Sequence, residues 1–125
     1  MVDEELEHRI TRADQCDMLM LSHMDLHSYP MGRLMREEVV MSRIVRLDLS
    51  YNWITTLPSE INQCSALTEL WLQYNPLKEL PAGISELKNL ECIDISSTKV
   101  LDLPNEVATM EKLNEIDWYD TPMEL

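Results

Sequence analysis

Glycine, cysteine and basic residues are all scarce in this chain, and each shortage argues against a class of function. Two glycines, Gly32 and Gly83, occur in 125 residues, too few for a loop that cradles phosphates with glycine-rich backbone. The three cysteines, Cys16, Cys64 and Cys92, are an odd number with no short spacing between them. That pattern argues against a disulfide framework or a zinc site and fits a reducing compartment. Lysine and arginine total 10 against 23 acids, a formal net charge of −13. Nucleic acid and anionic membrane surfaces call for clustered basic side chains, so neither is an expected partner. A neutral or basic protein is. No apolar run is long enough to cross a bilayer, and the acidic start Met-Val-Asp-Glu-Glu lacks the features of a secretory or transit signal. The expected location is therefore cytoplasmic, with the nucleus as the other choice.

What the chain does have is internal repetition, which outranks local pattern in deciding a fold. Three segments beginning at Ile44, Leu67 and Leu90, and a partial one at Leu113, align without gaps at 23-residue intervals. Apolar residues recur at the same offsets: Leu47, Leu70, Ile93 and Ile116; Leu49, Leu72, Ile95 and Trp118; Ile54, Leu77, Val100 and Met123. An earlier, degenerate copy matches these offsets with Cys16, Leu19, Leu21, Met24 and Leu26, and has Tyr29-Pro30 where later copies have Leu-Pro. It is five residues longer than the others, and the surplus within 31–43 predicts an extra helical turn. The expected organisation is one domain over 1–125. It comprises a capping helix at 3–15, a long first repeat at 16–43, regular repeats at 44–66, 67–89 and 90–112, and a partial, uncapped repeat at 113–125.

The consensus LxxLxLxxNxLxxLPxxIxxLxx resembles the short, typical class of leucine-rich repeats found in intracellular eukaryotic proteins, and is similar to repeats of Ras-pathway and cell-polarity scaffolds. The resemblance covers roughly residues 16–125. It implies an α/β solenoid with a parallel sheet on the concave side, helical or 3-10 segments on the convex side, and binding of a protein partner.

The residues agree with that expectation on their own terms. Within each copy, alternation at period two predicts a short strand with Leu47 and Leu49, Leu70 and Leu72, and Ile93 and Ile95 inward. Asn52 and Asn75 close their strands, where a side-chain amide can satisfy backbone groups of successive coils. Thr98 and Thr121 replace them later and Met24 earlier, so this ladder should weaken towards both ends. The pairs Leu57-Pro58, Leu80-Pro81 and Leu103-Pro104 open the outer segments, with Ile61, Ile84 and Val107 facing the core. In the capping helix, Leu6, Ile10 and Ala13 fall on one face behind acids in the first turn. Trp118 and Met123 are expected to seal part of the far end.

No catalytic or metal-binding residues and no cofactor are expected. His8, His23 and His27 lack the spacing of a ligand pair and read as surface residues. Cys16 and Cys64 stand at leucine positions and read as core. Cys92 points outward between Glu69 and Glu115, carboxylates that would raise its pKa rather than activate it. The candidate binding surface is the outward strip: Arg46, Asp48, Tyr51, Glu69, Trp71, Gln73, Tyr74, Asp94, Glu115, Asp117 and Tyr119. In that reading Trp71, beside Tyr51 and Tyr74, forms an aromatic centre. Asp48, Glu69, Asp94, Glu115 and Asp117 form an acidic ladder for Lys or Arg of the partner. Trp53, at the turn, is a secondary candidate, and Met18 and Met20 also face outward. The competing readings are a structural subunit joined through the uncapped C-terminal end, including a homodimer, and a regulatory subunit of an enzyme.

Overall fold

A computed structural model describes residues 4–27 and 38–123. Five three-residue strands form one parallel sheet in chain order: β1 (Met18–Met20), β2 (Arg46–Asp48), β3 (Glu69–Trp71), β4 (Cys92–Asp94) and β5 (Glu115–Asp117). The register sets Leu19, Leu47, Leu70, Ile93 and Ile116 side by side. The last four strands are therefore spaced by the same 23 residues as the sequence repeat. Strand order equal to chain order means that each coil packs only on its neighbours, the mark of a solenoid.

Three 3-10 turns, η1 (Ser59–Gln63), η2 (Ala82–Glu86) and η3 (Asn105–Thr109), each follow a proline and stack in sequence. Proline begins each turn because its φ is already suitable and its missing N–H is not needed there. The stacking of η1 on η2 is close. A Cβ on Gly83 would lie 2.8 Å from the Ser59 carbonyl oxygen, which accounts for glycine at that position.

The core is the column of leucine and isoleucine positions, from Leu19 and Leu21 to Ile93, Ile95 and Val100, all essentially without solvent contact. It is sealed on one side by α1 (Glu4–Cys16), whose Ile10 and Ala13 are buried and whose Arg9 donates to the Met20 carbonyl at 2.9 Å. Burial declines at the opposite end: Leu103, Val107, Leu113, Trp118 and Met123 pack on the core yet remain half exposed.

One expectation needs correction and another is met in part. Cys16 is not core. Helix α1 extends to take it as its last residue, and Asp17 at φ 52° then turns the chain into β1. The exposed Cys16 thiol donates to the Arg12 and Met18 carbonyls. The expected turn in the first-repeat surplus is seen in part as the helix Glu38–Arg43, which buries Val40 and Met41. Tyr29-Pro30 and the rest of that surplus lie outside the described residues.

The asparagine ladder has a definite geometry. Asn52 Nδ2 donates to the carbonyls of Leu21, Leu49 and Ser50, and its Oδ1 accepts from the N–H of Met24 and Leu26. Asn75 repeats this one coil later, donating to Leu49 and Leu72 and accepting from Ile54 N–H. Thr98 reaches no earlier coil: its hydroxyl donates to Ile95 O and meets Val100 N–H at 3.5 Å. The equivalent acceptor and donor one coil back are Leu72 O and Leu77 N–H. Thr98→Asn is therefore expected to raise stability by about 1 kcal/mol, the usual net value of added buried hydrogen bonds, read as a higher urea midpoint at unchanged m-value.

Candidate interaction surface

The residue before each ladder position adopts left-handed backbone: His23, Tyr51, Tyr74, Ser97 and Asp120 have φ between 54° and 60°. None is glycine, so each costs about 1–2 kcal/mol relative to ordinary backbone. The cost is offset by the coil-to-coil bonding that this turn permits. Tyr51 N–H reaches Gln73 O, Tyr74 N–H reaches Ser96 O, and Ser97 N–H reaches Tyr119 O. The turn also sends these five side chains out in one direction, separated by the strand spacing of about 4.8 Å. That spacing suits ring stacking. His23 lies on Tyr51 with centroids 4.4 Å apart and planes at 16°, and Tyr51 lies on Tyr74 at 4.4 Å and 11°. Beside this row, Trp53 stacks on His27 at 6.5 Å. The rings remain accessible, with Tyr51 44%, Tyr74 51% and Trp53 57% exposed. Together with Asp25, Lys99 and Asp120 they line an open groove of about 810 Å³ along the carboxyl ends of the strands.

Trp71 is not the centre of this cluster. It lies on β3, opposite Asp48 on one side and Asp94 on the other, half-buried, and it joins neither the ring row nor the groove lining. The strand alternation that placed it beside Tyr51 and Tyr74 stops where the left-handed residue begins. Trp53, His23 and His27 have the larger part in the aromatic surface. The signal for His23 was the column His23, Tyr51, Tyr74, Ser97, Asp120 at one repeat offset.

The acidic ladder divides in the same way. Asp48 is turned in and buried, its Oδ1 accepting from Ser50 N–H at 2.9 Å and Ser50 Oγ at 2.6 Å. Its charge serves its own turn. Glu69 is held 2.5 Å from Arg46 Nε, so those two largely neutralise each other. Asp94 accepts from Ser96 N–H and stays half exposed. Gln73 is half-buried, while Tyr119 is 83% exposed beside Asp117 and Asp120 at a second hollow near β5. The open negative charge is thus concentrated on Asp94, Glu115 and Asp117. Register places Asp94 against Asp117 and Cys92 against Glu115. Crowding has a measurable sign: the Asp117 carboxyl is pushed above its usual range by burial, then by Glu115 and Asp94.

The same crowding acts on Cys92. Burial raises its thiol to about 12, helped by its hydrogen bond to Glu115, 3.5 Å away, and by the charges of Glu115, Asp117 and Glu69. Cys92, Glu115 and Asp117 bring possible ligand atoms within 4.8 Å of one another across the strands, a grouping that linear spacing does not reveal. Cys92 is held as a thiol, so a cation there would have to displace its proton. Fewer thiolates, partly offset by the higher nucleophilicity of each, should slow iodoacetamide at pH 8 about a hundredfold relative to urea-unfolded chain. Timed mass spectrometry of the Cys92 peptide measures this. Equal rates would show that neither burial nor the carboxylates hold the thiol protonated.

Residues 42–82 match the family described as Leucine Rich repeats (2 copies). The fold is that of a leucine-rich-repeat solenoid. Among solved structures, this solenoid is similar to a leucine-rich-repeat protein of Leptospira interrogans, at 26% identity over 94% of the chain with a TM-score of 0.74. It is also similar to the leucine-rich-repeat domain of the type III effector XopL, at 21% identity over 93% of the chain with a TM-score of 0.74. The chain spans 35% and 41% of the lengths of those two proteins. No curated protein sequence matches it. Leucine-rich-repeat solenoids are in general protein-interaction modules rather than enzymes. No helix among the described residues is long and apolar enough to cross a membrane.

Proposed function

We propose that this solenoid is a non-enzymatic binding module that engages a partner protein, or a basic segment of one, through its outward strand face and the adjoining groove. The observation that carries the reading is the exposed row His23–Tyr51–Tyr74 with Trp53 beside it. Exposed aromatic surface loses free energy in water, whereas rigid aromatic side chains rimmed by polar groups are the usual anchors of an interface. Asp94, Glu115 and Asp117 extend the surface with open negative charge, which favours a basic partner and fast, salt-sensitive encounter. The turns that carry the rings are braced by inter-coil hydrogen bonds, so little ordering is needed on binding.

A second reading is assembly through the β5 end, as a structural subunit or a homodimer. It is favoured by the half-exposed Leu113, Ile116 and Trp118 and by Leu101, 62% exposed. Affinity capture with three proteins separates the two readings: wild type, Tyr51→Ala/Tyr74→Ala, and Leu101→Glu/Leu113→Glu, with circular dichroism matched first. A partner lost with the tyrosine variant and retained by the end variant supports the groove. The reverse pattern supports the end.

A further inference from the structure

The aromatic row stops one coil short of the groove's far side. Tyr74 has Tyr51 against one face of its ring. On its other side the same position in the next coil is the small Ser97, at the same left-handed φ (60° and 54°). Beyond Ser97 comes Asp120, whose Oδ2 accepts from Ser97 Oγ at 3.0 Å and so leans back over the gap. Tyr74, Ser97 and Asp120 all line the groove. The result is a slot one coil wide, walled by an aromatic face, floored by a serine and closed by a carboxylate.

The geometry points to this slot as a receptor for an arginine side chain of the partner, its guanidinium stacked on Tyr74 and hydrogen-bonded to Asp120. This rests on the reading of the chain as a binding module, and it names the chemistry that one part of the surface selects. Planarity decides for arginine over lysine. The strand spacing of about 4.8 Å leaves room for one flat group continuing the stack, and a guanidinium is flat, always charged and weakly hydrated on its faces. A carboxylate has about four acceptor positions, so the bond from Ser97 leaves Asp120 able to take two parallel N–H groups. Lys99, also in the lining, opposes any cation, so the selectivity comes from stacking and from Asp120 rather than from charge alone. The net charge of −13 draws a basic segment to the surface.

The test is isothermal titration at low salt with hexa-arginine and hexa-lysine peptides, on wild type, Ser97→Tyr and Asp120→Asn. Tyr51 and Tyr74 already hold the same backbone conformation as Ser97, so Ser97→Tyr should keep the fold and fill the slot with a further ring; thermal melts check this. Wild type should bind hexa-arginine about tenfold more tightly than hexa-lysine, a typical cation–π margin. Ser97→Tyr and Asp120→Asn should each bring the two peptides to within about twofold of each other. Equal affinity of wild type for both peptides, with Ser97→Tyr unchanged, overturns the slot and leaves a merely acidic binding surface. Binding of neither peptide overturns the slot together with the preference for a basic partner.

Discussion

Asn52→Ala is expected to remove about 3–4 kcal/mol, the largest loss from any single polar substitution among the described residues. The amide reaches three carbonyls and two N–H groups on two coils, and the residue is only 4% exposed. Each backbone group stranded without a partner costs about 1–3 kcal/mol, but water entering the space left by the amide rescues some of them. Small domains have only about 5–15 kcal/mol in hand, so the melting temperature should fall by roughly 10–20 °C. Asn75→Ala strands fewer groups and should cost somewhat less, and Thr98→Ala, which touches only its own coil, least of all. Urea denaturation of the three variants gives the order. An equal loss at all three would mean that the coils are held by apolar packing alone.

Tyr51→Ala/Tyr74→Ala is expected to weaken partner binding about a hundredfold while leaving the fold intact, since hot-spot aromatics commonly carry 2 kcal/mol or more each and act non-additively when in contact. Both rings stand outside the core, and the parallel stacking that is lost contributes only about 0.5–1.5 kcal/mol per pair. Relief of strain at the left-handed positions is small, because alanine there is no better suited than tyrosine. The main change is therefore loss of contact area on a surface already fixed in place. It should appear in the dissociation rate, whereas neutralising Glu115 or Asp117 should act on association and vanish in high salt.

The fold was legible because the 23-residue period and the inward alternation report the same quantity, burial between neighbouring coils. Leu47, Leu70 and Ile93 have one environment repeated, so one rule finds them all. Asn52 and Asn75 were legible for a related reason: a side-chain amide at the end of a strand has few other tasks. The surface was less so. Alternation treats Trp71, Tyr51 and Tyr74 as one outward set, but left-handed backbone at Tyr51 and Tyr74 redirects their side chains and leaves Trp71 half-buried on the strand. Composition counts Asp48 and Asp117 alike. Only coordinates distinguish a carboxylate bonded to its own turn from one crowded by Asp94 and Glu115. Cys16 failed because the capping helix extended across the first position of the repeat. Cys92 meets Glu115 only through strand register, 23 residues apart in sequence.

The most direct test of the binding surface is amide hydrogen exchange on the solenoid with and without its captured partner. Protection over 46–53 and 69–76, carried on to the strand-face and groove residues 115–120, is the result expected when the aromatic row and strand face form the interface. Protection confined to 107–123 would contradict that account and assign binding to the β5 end.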